Sequence, residues 1–593
     1  MNKCLFSLAC VTALATVASA EVVEKINGVL QQIDIKVNND ITYNNESVSN
    51  KSPLEANGNL TGEDASEKKR TLVIKNDGLV TVTGSNGNLT FKRDADLVLK
   101  KGGVLNVKNK SSEFSFENVR MDNGVLKLTN SNFNVSGDFK TVNNSQITLK
   151  ADNKYTTKIE AKNIEFNGLN KLEVDNYTLQ STENFKMSSM VGGNIKNSSL
   201  ISNKEMTIEN LTANFTSSTL QAKDKLSIKN NKGSFNQTDI KSTDGDIEIS
   251  GEVNFNGKET DKSKIIATKG SVNLKDINSG ITKNASISSS NKNITLDNFN
   301  TNISKSSLNA NKIEIKDSSI KSTSNKFTAL FNGVHLKNLK DGSEFRQSTF
   351  YGNEVNIENS NVVIKESKLG EERTPSAEIT INGEKVSLID TELNGHNINI
   401  SNLNGGDIDN TKITAKTQMS LKDVKANIHN SNVLVGDDEG KNGNLTIDNT
   451  TIGKKTTINS DNILFKKDVN LIGSDNFSDA PNNRVKITTK SIKKENGNNV
   501  NLNLENVDIL AKENAQLFEN FSDTDMVTLK GENVFISDSE ATLGSGLRFA
   551  NGGGIFRKHG MGTLKANANT INSINHLQIT NGTLKVTGGE LKF

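Results

Sequence analysis

Three acidic pairs, Asp244/Asp246, Asp407/Asp409 and Asp437/Asp438, come nearest in type and spacing to residues that do chemistry. Two carboxylates converging on one polar face could serve as acid and base, or acid and nucleophile, in cleaving a polysaccharide. Their surroundings read equally as solvated acidic turns. The histidines, His335, His396, His429, His559 and His576, are isolated, and none begins the His-Glu-x-x-His spacing that sets two imidazoles on one zinc ion. Ser545, between Gly544 and Gly546, sits in a turn with no base near it in sequence. The stretch 437–444 (Asp-Asp-Glu-Gly-Lys-Asn-Gly-Asn) clusters oxygens and glycines as calcium loops do, but without EF-hand spacing. The chemistry-bearing residues thus predict a non-enzyme with no cofactor and no metal.

The elements that would carry these residues announce themselves by repetition. Leu200, Met206 and Ile208 return twenty residues later as Leu220, Leu226 and Ile228. Ile240 with Ile247 and Ile249 follows, slipped by one at its end. Leu308/Ile313/Ile315, Ile398/Ile400 and Leu445/Ile447 continue the theme. Each unit is a short strand of alternating apolar and polar residues, broken by Asn, Ser, Gly or Asp, with no helical period between units. Only 33% of residues are hydrophobic, Trp is absent and Pro occurs three times. A thin core needs only every second strand residue to be apolar, and Asn tolerates the left-handed corners between strands. The predicted fold is all-β, an elongated right-handed parallel β-helix of stacked coils. The 71 basic and 69 acidic residues are interspersed and nearly cancel, which argues against a nucleic-acid partner.

Near the C-terminus the repeat changes character. The chain reads Lys558-His-Gly560-Met-Gly562-Thr563-Leu564, then an Asn/Ala segment, then Gly582-Thr583-Leu584. Twice a Gly-containing turn leads through Gly-Thr-Leu into an alternating strand. This segment resembles the passenger-associated transport repeat of Gram-negative autotransporters, over about forty residues. It departs from that pattern at 566–575, where Asn569-Thr570 is followed by Ile-Asn-Ser rather than an aromatic and glycines. The resemblance implies a secreted β-helical passenger whose last repeat folds first and templates the others. That role is carried to Lys558, Gly560, Gly562, Thr563, Leu564, Gly582, Thr583 and Leu584. It also implies an outer-membrane β-barrel translocator, expected here to be encoded downstream or elsewhere.

The N-terminus reads as a Sec signal peptide. Met1-Asn-Lys3 is basic, 4–17 is mostly apolar, and Ala18-Ser19-Ala20 is a small-residue cleavage site. Cys4 and Cys10 are the only cysteines and both fall in this leader, so the mature chain holds no disulfide. The expected organisation is signal peptide 1–20, N-terminal cap or irregular segment 21–70, β-helix repeats 71–543, and transport repeat with terminal coils 544–593. Segments 370–376 and 474–484 are predicted as loops leaving the coil. The mature chain carries no stretch suited to a transmembrane helix.

The predicted product is exported and displayed on the surface or outer membrane of a Gram-negative bacterium, or secreted. It would act in adhesion or self-association as a virulence factor, with host-cell or sister-cell surfaces as partners. The alternatives are a vacuolating or pore-forming toxin-like passenger and a β-helical polysaccharide hydrolase or lyase. Arg484-Val-Lys486 resembles the Arg-Ile-Lys of polygalacturonases, yet Gly395-His396-Asn397 precedes Asp437-Asp438, the reverse of that family's order.

Overall fold

The computed structural model describes residues 95–592 apart from 109–112, 153–156, 371–375, 475–480 and 551, together with short strands between Leu30 and Phe91. The leader with Ala18 and Ala20, both cysteines, most of the 370–376 and 474–484 loops, and Phe593 lie outside the described residues. The chain divides into two compact units, one up to Ile294 and one from Thr295 onward.

Both units are all-β solenoids of parallel strands. In the first, Leu179, Leu200, Leu220, Ile240, Ile265 and Ile287 stack one above the next. A second wall runs Phe185, Met206, Leu226, Ile247 and Val272. A third carries Phe215, Phe235 and Phe255. The second unit repeats the plan, with Ile364, Leu388, Ile408, Ile428, Ile452, Leu471, Leu504 and Leu529 in one file. All these side chains are buried, while their strand neighbours alternate outward. Alternation thus supplies the core, and backbone bonds to the next coil satisfy the strands. The one-residue slip before Ile247 is taken up in the turn after Ser242, so the register Leu226 to Ile247 is kept. Ahead of 70, strands Ile41–Asn44, Leu54–Asn57 and Leu60–Gly62 already pair in parallel with Arg70–Lys75, Leu79–Thr83 and Leu89–Phe91.

Corners explain the Asn and Ser content. Asn197, Asn210 and Asn230 adopt φ of 50°, 54° and 48°, the left-handed region that Asn enters more readily than most residues. After many such corners a Ser or Thr turns inward and is buried. Ser218 Oγ donates to the Thr216 carbonyl (2.8 Å) beside that of Ile195 (3.2 Å), and accepts from Ser198 N–H (3.3 Å) of the preceding coil. In the second unit, Thr411 and Ser431 repeat this arrangement, with Thr411 N–H donating to Ser431 Oγ at 3.3 Å. These buried hydroxyls bridge consecutive coils. Ser218→Ala is expected to destabilise the first unit by about 1–3 kcal/mol, because the Ser198 N–H loses its acceptor in the interior. Urea unfolding followed by circular dichroism measures this, and an unchanged midpoint would refute the bridging role.

Candidate functional site

The acidic pairs lie on outer faces and corners, and neighbouring coils already engage them. Asp244 meets Lys269 at 2.8 Å, and that bond holds its carboxyl below the ordinary aspartate value. Asp246 Oδ1 accepts Ser271 N–H at 2.7 Å. Asp407 and Asp409 flank buried Ile408 and so share one face of strand Asp407–Asp409. Asn427 and Asn430 of the next coil donate to them at 3.1 and 2.7 Å. The same Asn-to-Asp rung recurs at Asn118/Asp96, Asn143/Asp122 and Asn410/Asp390. Chemically, these groups link coil to coil.

The 437–444 loop is ordered by its own backbone. Asp437 Oδ1 accepts the N–H groups of Lys441 and Glu439, both at 2.9 Å, which lowers its pKa. Asp438 is almost fully exposed and faces Lys416 at 3.5 Å. Lys441 pairs with the Glu439 carboxylate, and Lys512 Nζ donates to the Glu439 carbonyl (2.8 Å) and to Asp461 outside the loop (2.9 Å). Among the described residues no cluster of three His, Cys, Asp or Glu side chains is placed to hold a metal ion. His335 Nε2 lies 2.8 Å from the Asn332 carbonyl, and His429 Nε2 lies 3.4 Å from Asp409. His396 and His576 are exposed on other coils. Ser545 is exposed in a turn, its carbonyl accepting from Arg548 at 3.4 Å.

The coils that carry the two Gly-Thr-Leu segments are more specific. Strand Thr563–Asn567 pairs with Thr583–Thr587 so that Thr563 faces Thr583 and Leu564 faces Leu584. The two Gly-Thr-Leu segments therefore stack residue on residue, each entered through a glycine at positive φ, 88° at Gly560 and 79° at Gly582. Between them, at the departure from the repeat pattern, a single helical turn spans Ala568–Asn572. Asn567 caps it by accepting Asn569 N–H at 2.9 Å, and buried Thr570 donates to the Leu547 carbonyl at 2.9 Å. Ser573 Oγ accepts Phe549 N–H at 2.9 Å. The Asn-Thr segment thus turns the chain back onto the coil.

No family model, curated protein or solved structure matches this chain.

Buried charge marks the same end of the second unit. Apart from Asp448, the buried charged residues among those described are Arg484, Lys494, Asp508, Asp525, Glu532 and Lys558. Arg484 Nε donates to Asp508 at 2.6 Å and its Nη2 to the Glu532 carbonyl at 2.6 Å, while Glu532 pairs with Arg557. Arg484, which the sequence assigned to the edge of a loop, therefore points into the core rather than toward a substrate. Lys494 meets Asp525 at 2.8 Å. Burial alone would raise the Asp525 carboxyl, but Lys494 and the N–H groups of Val500 and Ser522 outweigh it and hold the pKa below its ordinary value. With a depressed folded pKa, Asp525 contributes stability that is complete above about pH 3.8 and fades as pH falls through the lowered value. The double variant Lys494→Met/Asp525→Leu is expected to show a shallower loss of melting temperature on acidification; identical slopes would discount the pair.

Proposed function

We propose that this chain is an exported surface passenger of the autotransporter type that acts without catalysis, by adhesion to host cells or association with sister cells. The observation that carries the reading is the register of Thr563–Asn567 on Thr583–Thr587, two Gly-Thr-Leu strands stacked residue on residue in a parallel solenoid. The employment of Asp244, Asp246, Asp407 and Asp409 in bonds between coils supports a scaffold rather than a cleft. A repetitive polar surface suits many weak contacts, whose combined avidity needs no deep pocket.

The test is binding of beads coated with the purified chain to epithelial cells and to bacteria. Saturable binding is expected, unchanged within about twofold in Asp244→Ala, Asp407→Ala and Asp437→Ala, because surface pairs contribute little energy. Cleavage of a polysaccharide that disappears in one of these variants would replace adhesion with the enzyme reading.

A further inference from the structure

We propose that Asn496 is a self-modification site: the nitrogen of Gly497 closes on the Asn496 side chain, and an exposed turn of the second unit gains a carboxylate in place of an amide without any enzyme. Asn-Gly steps recur along the chain, and a glycine puts no side chain in the path of such an attack. What separates the steps is whether the glycine can move. The nitrogens of Gly168 and Gly257 are engaged by the Ser188 and Lys283 carbonyls, at 3.1 and 2.9 Å. Gly333, Gly443 and Gly582 lie against neighbouring backbone, where an added Cβ would fall 2.3, 1.8 and 2.3 Å from a carbonyl oxygen.

Gly497 differs on both counts. Its N–H has no hydrogen-bond partner among the described residues. Of the glycines in Asn-Gly steps among those residues, it alone has nothing within 4 Å of its Cβ position. Asn496, Gly497, Asn498 and Asn499 are all exposed, and Gly497 turns the chain at a φ of 84°. Nothing therefore holds the nucleophilic nitrogen away from the neighbouring amide.

The chemistry needs only water. The Gly497 nitrogen gives its proton to solvent base and bonds to Asn496 Cγ. The bond from Cγ to the side-chain nitrogen breaks, ammonia leaves, and a cyclic succinimide remains. Water then opens the ring at either carbonyl. One opening gives aspartate in the ordinary chain, the other isoaspartate with the chain routed through the side chain.

The turn is built to absorb this change. One carboxylate holds both of its ends: Asp525 accepts from Lys494 Nζ at 2.8 Å and from Val500 N–H at 2.9 Å. Between them, Glu495 pairs with Lys466 at 2.7 Å and accepts from Asn498 Nδ2 at 2.8 Å. The new carboxylate lies next to Glu495, at a site where exposed charges contribute little to stability. Conversion thus changes the outer charge of the turn as the protein ages and leaves the coil beneath intact.

Peptide mapping by mass spectrometry tests this on the full chain, kept folded in mildly alkaline buffer. The Asn496 peptide is expected to convert at least about tenfold faster than any other Asn-Gly step among the described residues, because those must first open locally. In urea the steps are expected to converge to within about threefold, since opening then costs nothing. Asn496→Gln, whose longer side chain closes a larger and slower ring, is expected to lose the conversion. The urea midpoint of converted protein is expected to match that of fresh protein. Another of these steps converting as fast in the folded chain would overturn the proposal. So would the same spread of rates folded and in urea, or a midpoint that falls as Asn496 converts.

Discussion

Phe235→Ala is expected to destabilise the first unit by about 3–5 kcal/mol, the range for deleting a buried phenyl that its surroundings cannot replace. Phe235 is fully buried between Phe215 and Phe255, its ring 4.9 Å from the first at an interplanar angle of 5° and 5.4 Å from the second at 22°. Removing the middle ring deletes two stacked contacts and leaves a void bounded by coils above and below. Since each coil touches chiefly its neighbours, the damage should appear first as lost amide protection in 206–256, before any global change in melting. Phe235→Leu, which refills most of the volume, should recover more than half of the loss. Exchange that is unaltered in Phe235→Ala would contradict this account of the core.

In the second unit the largest effect is expected at a charge. Asp508→Ala leaves the Arg484 guanidinium, itself without exposed surface, lacking its carboxylate partner, and should cost about 3–5 kcal/mol. Burial pushes the Asp508 carboxyl up, against the pull of Arg484 at 2.6 Å. Replacing both, Arg484→Met with Asp508→Leu, should return most of the loss, since an apolar pair of similar volume carries no desolvation cost. Urea midpoints for Arg484→Met, Asp508→Leu and their combination close a mutant cycle. A double variant as unstable as Asp508→Ala would mean that the Arg484 bond to the Glu532 carbonyl, not the pair, is what matters.

The apolar files were legible because they need only a repeated letter at a repeated spacing. Leu200 over Leu220 and Met206 over Leu226 could be aligned by eye, and the structure stacks them in that register. The Gly-Thr-Leu stacking of Leu564 on Leu584 was visible for the same reason. Polar interior residues were not. Ser218 and Thr411 are of residue types that give no sign of burial by themselves; the signal that would have found them is the repeated corner residue followed by Ser or Thr, as in Asn197-Ser198, Asn410-Thr411 and Asn430-Ser431. Arg484, Asp508 and Glu532 lie far apart in sequence and carry charges that composition alone places in water. Only the pairing of consecutive coils brings them together, so no local pattern could disclose them. Lys558 was singled out by its motif, but the Gly560 and Asn581 carbonyls to which its buried ammonium donates are backbone, which leaves no trace in residue types.

The serine and threonine bridges have a genetic consequence. Ser218 and Thr238 each reach back to the coil before, Ser218 Oγ to the Ile195 carbonyl and Thr238 Oγ1 to that of Phe215, so consecutive joints are built alike. Deleting residues 207–226 would bring Leu200 beneath Ile240 and would offer the Ile195 carbonyl to Thr238 Oγ1 in place of Ser218 Oγ. Loss or gain of one coil-length segment would therefore change the number of coils in the first unit while keeping the stacking register of those that remain.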